Sequence, residues 1–152
     1  MRETYDAIAK VHPELTATRR QTRIISMNSS FPDASVAWHM SMIADIELPD
    51  PDDRHVVAAA RAGHADVIVT HNIKDFPEQT LQQFGLEVVG PDCFLLDMLD
   101  LFPKAMLAVI QDQALDTKRP PLSVKDVLES LTKAGAPQFA KDVMERLDQV
   151  LA

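Results

Sequence analysis

The pattern of apolar and polar positions predicts helices in the first third of the chain. Apolar residues at helical spacing predict a helix over residues 2–11 and, after Pro13, a second helix that ends near Asn28. The segment that follows is ambiguous and fits a short strand near Val36 and then a short helix. The first third therefore contributes mainly helix.

The middle of the chain alternates between helix and strand. Asp50 is a suitable N-cap and Pro51 suits the first position of a helix that ends at Gly63. The β-branched runs "DVIVT" at 66–70 and "LEVVG" at 86–90 are typical of buried strands, with a short helix between them. Strand, helix and strand at this spacing predict an α/β fold with a parallel sheet flanked by helices.

The pattern after Pro91 is helical to the end of the chain. Pro103 separates two apolar helical segments, and the polar linker "DTKRPP" separates these from the rest. Ser123 and Asp126 have the spacing of a capping box and precede an amphipathic segment. The turn sequence "KAGAP" then predicts one more helix.

Length and composition are those of one ordinary domain. The chain has 152 residues, of which 46% are hydrophobic, so a disordered chain is excluded. Cys93 is the only cysteine, which rules out an internal disulfide and favours the reducing cytoplasm. The apolar runs are shorter than the roughly 18 residues of a membrane span, and the charged N-terminus does not resemble a signal peptide.

The charge is concentrated in one part of the chain. The net charge is −8, and residues 41–100 carry twelve Asp and Glu against three Lys and Arg. Such a segment repels nucleic acid unless basic side chains or metal cations offset it. The side chains best suited to that role are four arginines: Arg19, Arg20, Arg23 and Arg54. The first three lie on one predicted helix, and three arginines on a helix are more often a solvated face.

Three carboxylates crowd the start of the alanine-rich helix. Asp50 is best explained as the N-cap, and Asp52 as compensation of the helix dipole. Asp53 is a third negative charge within four positions, which raises repulsion unless a cation relieves it. A bound metal ion would relieve this repulsion, and so would the positive end of the helix dipole.

The end of the first strand carries further polar side chains. Parallel sheets place their sites at the carboxyl ends of strands, so Thr70, Asn72 and Asp75 are expected at that edge. Asp53 reaches the same edge if its helix begins there. Carboxylate, amide and hydroxyl oxygens suit Mg²⁺ or Mn²⁺ and not zinc, although Asp75 fits a plain turn residue equally well.

The segment "LPDPDDRHVVAAARAGHADVIVTHNIKDFP" resembles the PIN-domain ribonuclease family, in particular its VapC-like toxin branch. "FLLDMLDL" and "PPLSVKDVLESL" resemble the C-terminal extension of one PIN subgroup. The resemblance implies a three-layer α/β/α fold with a short parallel sheet. We therefore expect a PIN-like domain over residues 1–100 and a helical extension over 101–152 that packs on it.

The resemblance also implies roles for individual residues. Asp53 falls on the family's third acid and Asp75 on the acid of the "T-x-N-x-x-D-F" element. Thr70 and Asn72 fall on the polar partners of that acid, and Glu3 stands where the family has its second acid. Glu3, Asp53 and Asp75 are then expected to hold Mg²⁺ or Mn²⁺ for the hydrolysis of RNA.

Two functions follow from this resemblance. The first is a toxin-type ribonuclease that is silenced by a small antitoxin. The second is a catalytically weak PIN remnant that acts as a binding or oligomerisation module, because the family's first acid and its opening strand normally precede the glutamate helix near which this sequence begins. A sheet without that strand would expose apolar surface, so a homodimer is expected. A site without the first acid would hold its metal more weakly, so weak cleavage is expected.

Overall fold

The computed structural model describes residues 9–10, 13–37, 39–117 and 120–151. Contacts between residues divide the chain into two compact units, residues 1–39 and residues 40–152. The first unit carries one long helix. The second carries the sheet and the C-terminal helices.

Helix α1 (Ala17–Ser30) is the main element of the first unit. Its N-cap is Thr16, whose hydroxyl accepts a hydrogen bond of 3.3 Å from the backbone N–H of Arg19. Ile24 is buried on this helix. The helix predicted to follow Pro13 is thus confirmed, whereas the helix predicted over residues 2–11 lies mostly outside the described residues.

The strand predicted near Val36 is wrong. A short 3-10 turn occupies Pro32–Ala34, and the residues on either side of Val36 are neither helix nor strand. The Val36 side chain is exposed, so burial on a sheet does not stabilise an extended conformation here. The short helix expected next is a single 3-10 turn, Met40–Ile43.

Helix α2 (Arg54–Ala62) follows directly from a 3-10 turn, Pro51–Asp53. Asp50 caps this turn because its side chain accepts a 2.9 Å hydrogen bond from the N–H of Asp52. Gly63 is the C-cap of the helix, as predicted. These local signals decide where the alanine-rich helix starts and stops.

A two-stranded parallel sheet forms from β1 (Val67–Val69) and β2 (Glu87–Val89). Helix α3 (Glu78–Gln82) connects them and packs on β2, while α2 packs on β1. Both strands and the short helix were predicted, and the α/β fold with a short parallel sheet is confirmed. The carboxyl ends of the strands are therefore side by side.

Four helices follow the sheet in the described part of the chain. They are α4 (Pro91–Leu101), α5 (Pro103–Asp116), α6 (Val124–Lys133) and α7 (Pro137–Leu151). The predicted capping box at the start of α6 is present. One buried cluster joins the four helices: Leu99, Ile110, Ala114, Val127, Leu128, Ala136, Phe139, Ala140 and Val143.

Helices α4 and α7 pack on each other and are joined near both ends of α4. The Asp92 carboxylate accepts hydrogen bonds from the N–H groups of Gln138 (3.2 Å) and Phe139 (2.9 Å), which satisfies the N-terminus of α7. At the other end, Arg146 forms an ion pair with Asp100. Because α4 belongs to this packing, the helices after residue 101 rest directly on it; the division at residue 100 remains a prediction.

Candidate functional site

The loop after β1 holds Asp75 through a chain of local hydrogen bonds. The Thr70 hydroxyl accepts a 3.1 Å bond from the N–H of Asn72, and the Asn72 carbonyl accepts a 3.2 Å bond from the N–H of Asp75. The side-chain amide of Asn72 donates to Oδ2 of Asp75. Thr70 is itself tied to the sheet, since its N–H donates to the Val89 carbonyl at 3.0 Å. Each residue therefore positions the next one.

Asp53 occupies the N-cap position of α2 but does not act as a cap. Among the described residues its side chain accepts no capping hydrogen bond, and Asp50 performs the capping of the preceding turn instead. The side chain is half-buried. Its carboxylate is therefore available to a cation, which distinguishes Asp53 from an ordinary capping residue.

The electrostatic surroundings of Asp53 disfavour its negative charge. Partial burial raises the pKa of the Asp53 carboxyl, and the negative charges of Asp50 and then Asp75 raise it further. His55 opposes this rise and Asp52 adds a smaller increase. The charge of Asp75 contributes to the raised pKa of Asp53, which is the effect expected if the two predicted acids share one edge of the sheet.

The donor set fits a hard divalent cation. Asp53 and Asp75 carry carboxylate oxygens, the type of ligand that such a cation prefers, and Asn72 donates a hydrogen bond to one Asp75 oxygen. Within the described ranges, no group of three or more His, Cys, Asp or Glu is arranged to hold a metal ion. Glu3, the third expected ligand, lies outside the described residues.

The four predicted RNA-binding arginines fall in different units. Arg19, Arg20 and Arg23 are on α1 in the first unit, where Nη1 of Arg20 donates a 2.8 Å bond to the Leu15 carbonyl. Arg54 begins α2 beside Asp53, and its Nε is buried without a hydrogen-bond partner in the described part of the chain. Arg54 is thus the predicted arginine that belongs to the unit containing Asp53 and Asp75.

Two residues near the acids were not predicted as part of the site. Asp50 was interpreted only as a cap, yet its negative charge raises the pKa of Asp53 more than that of any other charged residue acting on it. His55 was not singled out, although its ring Nδ1 lies 2.6 Å from the Asp52 carbonyl and its charge counteracts the acids. The spacing of His55, two residues after Asp53, was the available signal.

Two family models match the chain. A model described as "PIN domain" matches residues 2–74, and a model described as "VapC50 C-terminal domain" matches residues 91–145. The chain belongs to the PIN-domain family, in its VapC-like branch. Most of the chain is covered by these two matches, and the acids Asp53 and Glu3 lie within the first of them.

A curated relative supports the same assignment. The PIN-family chain is 43% identical over 88 residues to a protein named "Putative ribonuclease VapC50" from Mycobacterium tuberculosis (strain ATCC 25618 / H37Rv). The match covers 58% of this chain and 52% of the relative, so the chain spans about half the length of that protein. No solved structure matches the chain.

None of the helices within the described residues is both long enough and apolar enough to cross a bilayer.

Proposed function

We propose that this protein is a metal-dependent ribonuclease of the toxin–antitoxin type that acts in the cytoplasm. The observation that carries the proposal is the pair Asp53 and Asp75. The Asp53 carboxylate is half-buried and does not cap its helix, and burial and neighbouring negative charges raise its pKa. The Asp75 carboxylate is held in the loop after the first strand by Asn72. A half-buried acid that does not cap its helix and has a raised pKa supports the role of a cation ligand.

The metal would be Mg²⁺ or Mn²⁺, held by Asp53 and Asp75 together with Glu3. Such a cation supplies a Lewis acid that lowers the pKa of water and neutralises charge on a phosphodiester. The chain's own part is to position the ligands. Thr70 orients Asn72, and Asn72 in turn fixes the Asp75 carboxylate.

The RNA substrate would be bound by basic side chains beside an acidic site. Arg54 follows Asp53 directly in the chain and is proposed to contact phosphate, and Arg19, Arg20 and Arg23 are proposed as further phosphate-binding residues. RNA binding is then expected to depend on bound cations, because residues 41–100 are strongly acidic. The name of the relative supports ribonuclease activity as the reaction class.

An antitoxin and a second copy of the chain are the proposed partners. The VapC-like family membership supports an antitoxin. Large apolar side chains that are exposed at the end of α4 and along α5 support self-association into a homodimer: Leu101, Phe102, Val109 and Leu115. Light scattering of the purified chain at micromolar concentration tests the dimer, and a single 16.9 kDa species contradicts it.

The test of the function combines metal binding with cleavage. We expect Mn²⁺ to bind by calorimetry and to support cleavage of a mixed single-stranded RNA pool. Asp53→Asn and Asp75→Asn should each weaken binding and abolish cleavage. Asp112→Asn, the same change at an exposed position on α5, is the matched control and should leave both unchanged. Equal binding by wild type and Asp53→Asn contradicts the assignment.

The same experiment separates the second candidate function. Mn²⁺ binding that depends on Asp53, together with cleavage indistinguishable from the Asp53→Asn background, would favour a binding or oligomerisation module. That outcome would leave the metal site in place and remove the proposed activity.

A further inference from the structure

The imidazole of His71 lies directly over Gly135, which is in the turn between α6 and α7. A Cβ atom built on Gly135 would be 2.6 Å from Cε1 of His71 and 3.3 Å from Nδ1. Atoms in ordinary contact do not approach so closely, so the ring occupies the space that any side chain at position 135 would fill. The loop that carries Asp75 therefore touches the C-terminal helices at this point.

His71 is in the middle of the hydrogen-bonded loop. It stands between Thr70 and Asn72, which are joined by the 3.1 Å bond from the Asn72 N–H to the Thr70 hydroxyl. The next bond in the chain runs from Asn72 to Asp75. The His71 ring belongs to the loop that positions the Asp75 carboxylate, so its contact with Gly135 joins that loop to the turn between α6 and α7.

Gly135 is held firmly from the other side. Its N–H donates to the Thr132 carbonyl at 3.1 Å, and the N–H of the buried Ala136 donates to the Leu131 carbonyl at 3.0 Å. These are the bonds of a Schellman motif, in which the residue with positive φ is Gly135, at +97°. Asp92 fixes the start of α7 a few residues later. The turn is thus a rigid surface for the ring.

We propose that the C-terminal helices set the position of Asp75 through the contact between His71 and Gly135, so that His71 is a positioning residue for the metal site. The inference rests on the proposed function for its metal readout, but the positioning of the loop is independent of it. It also gives a physical reason for the C-terminal helices to accompany the PIN domain in one chain.

The test uses two glycines that differ only in their surroundings. Gly135 and Gly85 both have positive φ and both close a Schellman motif, so alanine strains the backbone at either position. Alanine at 135 collides with His71, whereas a Cβ at 85 meets no described atom within 4 Å. Gly135→Ala should weaken Mn²⁺ binding about 10-fold by calorimetry, and Gly85→Ala should not change it.

A second variant separates positioning from general damage to the fold. His71→Ala introduces no backbone strain and removes the ring that collides. The double variant Gly135→Ala/His71→Ala should bind Mn²⁺ more tightly than Gly135→Ala and no more weakly than His71→Ala alone. A merely structural effect of the strained turn would remain in the double variant, so lack of recovery contradicts the proposal.

Amide NMR spectra read the loop without metal. The N–H groups of Asn72 and Asp75 are hydrogen bonded within the loop, so their chemical shifts and hydrogen exchange report its geometry. Both should change in Gly135→Ala and not in Gly85→Ala. If both glycine variants give the same spectra in this loop, the proposal is wrong. If the loop responds as expected but the wild type binds no Mn²⁺, the inference stands and the proposed function fails.

Discussion

The side-chain amide of Asn72 donates a hydrogen bond to Oδ2 of Asp75, three residues later in the loop that follows the first strand. This bond takes up one carboxylate oxygen and restricts rotation of the Asp75 side chain. The Asn72 amide does not donate to the other oxygen, Oδ1. An acid held in this way is preorganised, so a cation that binds it loses less conformational entropy on binding.

Removing the Asn72 amide should therefore weaken metal binding without removing a ligand. We expect Asn72→Ala to reduce Mn²⁺ affinity by about 10- to 100-fold, the range typical of residues that orient a metal ligand. Calorimetric titration measures this. Gln79→Ala, at an exposed position on the neighbouring helix α3, is the control and should match the wild type. Unchanged affinity in Asn72→Ala would show that Asp75 does not depend on its neighbour.

Asp53 should make the metal-free protein less stable at neutral pH. Its folded-state pKa is raised above the ordinary value of 3.8, so the folded state binds this proton more tightly than the unfolded state. Its protonated form therefore favours folding below pH 3.8, and that advantage is lost as the pH rises through the folded-state pKa. We expect Asp53→Asn to have a higher Tm than the wild type at pH 7.

The difference in Tm between Asp53→Asn and the wild type should shrink as the pH is lowered toward 3.8. Asp52→Asn removes the same charge from an exposed neighbour and should raise Tm less. Saturating Mn²⁺ should make the Tm of the wild type higher than that of Asp53→Asn, because the wild type binds the cation and the variant lacks one of its ligands. If the difference in Tm between the wild type and Asp53→Asn does not change with pH, the Asp53 carboxyl is not the titrating group.

Asp92 should stabilise the packing of α4 on α7. Its carboxylate accepts bonds from two N–H groups at the start of α7, and loss of such a cap costs about 1 kcal/mol, within a range of about 0.5–2 kcal/mol. We expect that loss in the free energy of unfolding for Asp92→Ala, measured by urea denaturation. Asp92→Asn keeps an acceptor oxygen and should lose less. Equal losses would assign the effect to charge instead of hydrogen bonding.

His64 should be a site where glycine stabilises the protein. It closes the Schellman motif at the end of α2 with φ at +53°, the position that glycine occupies at the end of α6. The left-handed conformation costs a residue with a Cβ about 1–2 kcal/mol, which the higher unfolded-state entropy of glycine partly offsets. His64→Gly should therefore raise the free energy of unfolding by up to about 1 kcal/mol.

The control for this prediction is His64→Ala, which keeps the Cβ and removes the imidazole. Its stability should stay close to that of the wild type. If alanine stabilises as much as glycine, the imidazole and not the backbone conformation is responsible for the difference.

Short-range features of the fold are determined by the sequence itself. The capping box of Ser123 and Asp126, the capping of a turn by Asp50 and both strands were predicted and are present. The two caps depend on residues only two or three positions apart, so the spacing of side chains is enough to specify their hydrogen bonds, and each strand is marked by its own run of β-branched residues. Thr70, Asn72 and Asp75 were selected as candidate residues for the same reason, since one short loop contains all three.

Other features were decided by the tertiary structure alone. A strand was predicted near Val36, but the Val36 side chain is exposed and the residue belongs to no strand. The cap that Asp92 provides for α7 joins residues 46 and 47 positions apart, and the contact of His71 with Gly135 spans a still longer stretch of the chain. Such contacts depend on how whole elements pack, because the burial and the geometry that create them exist only after the chain has folded.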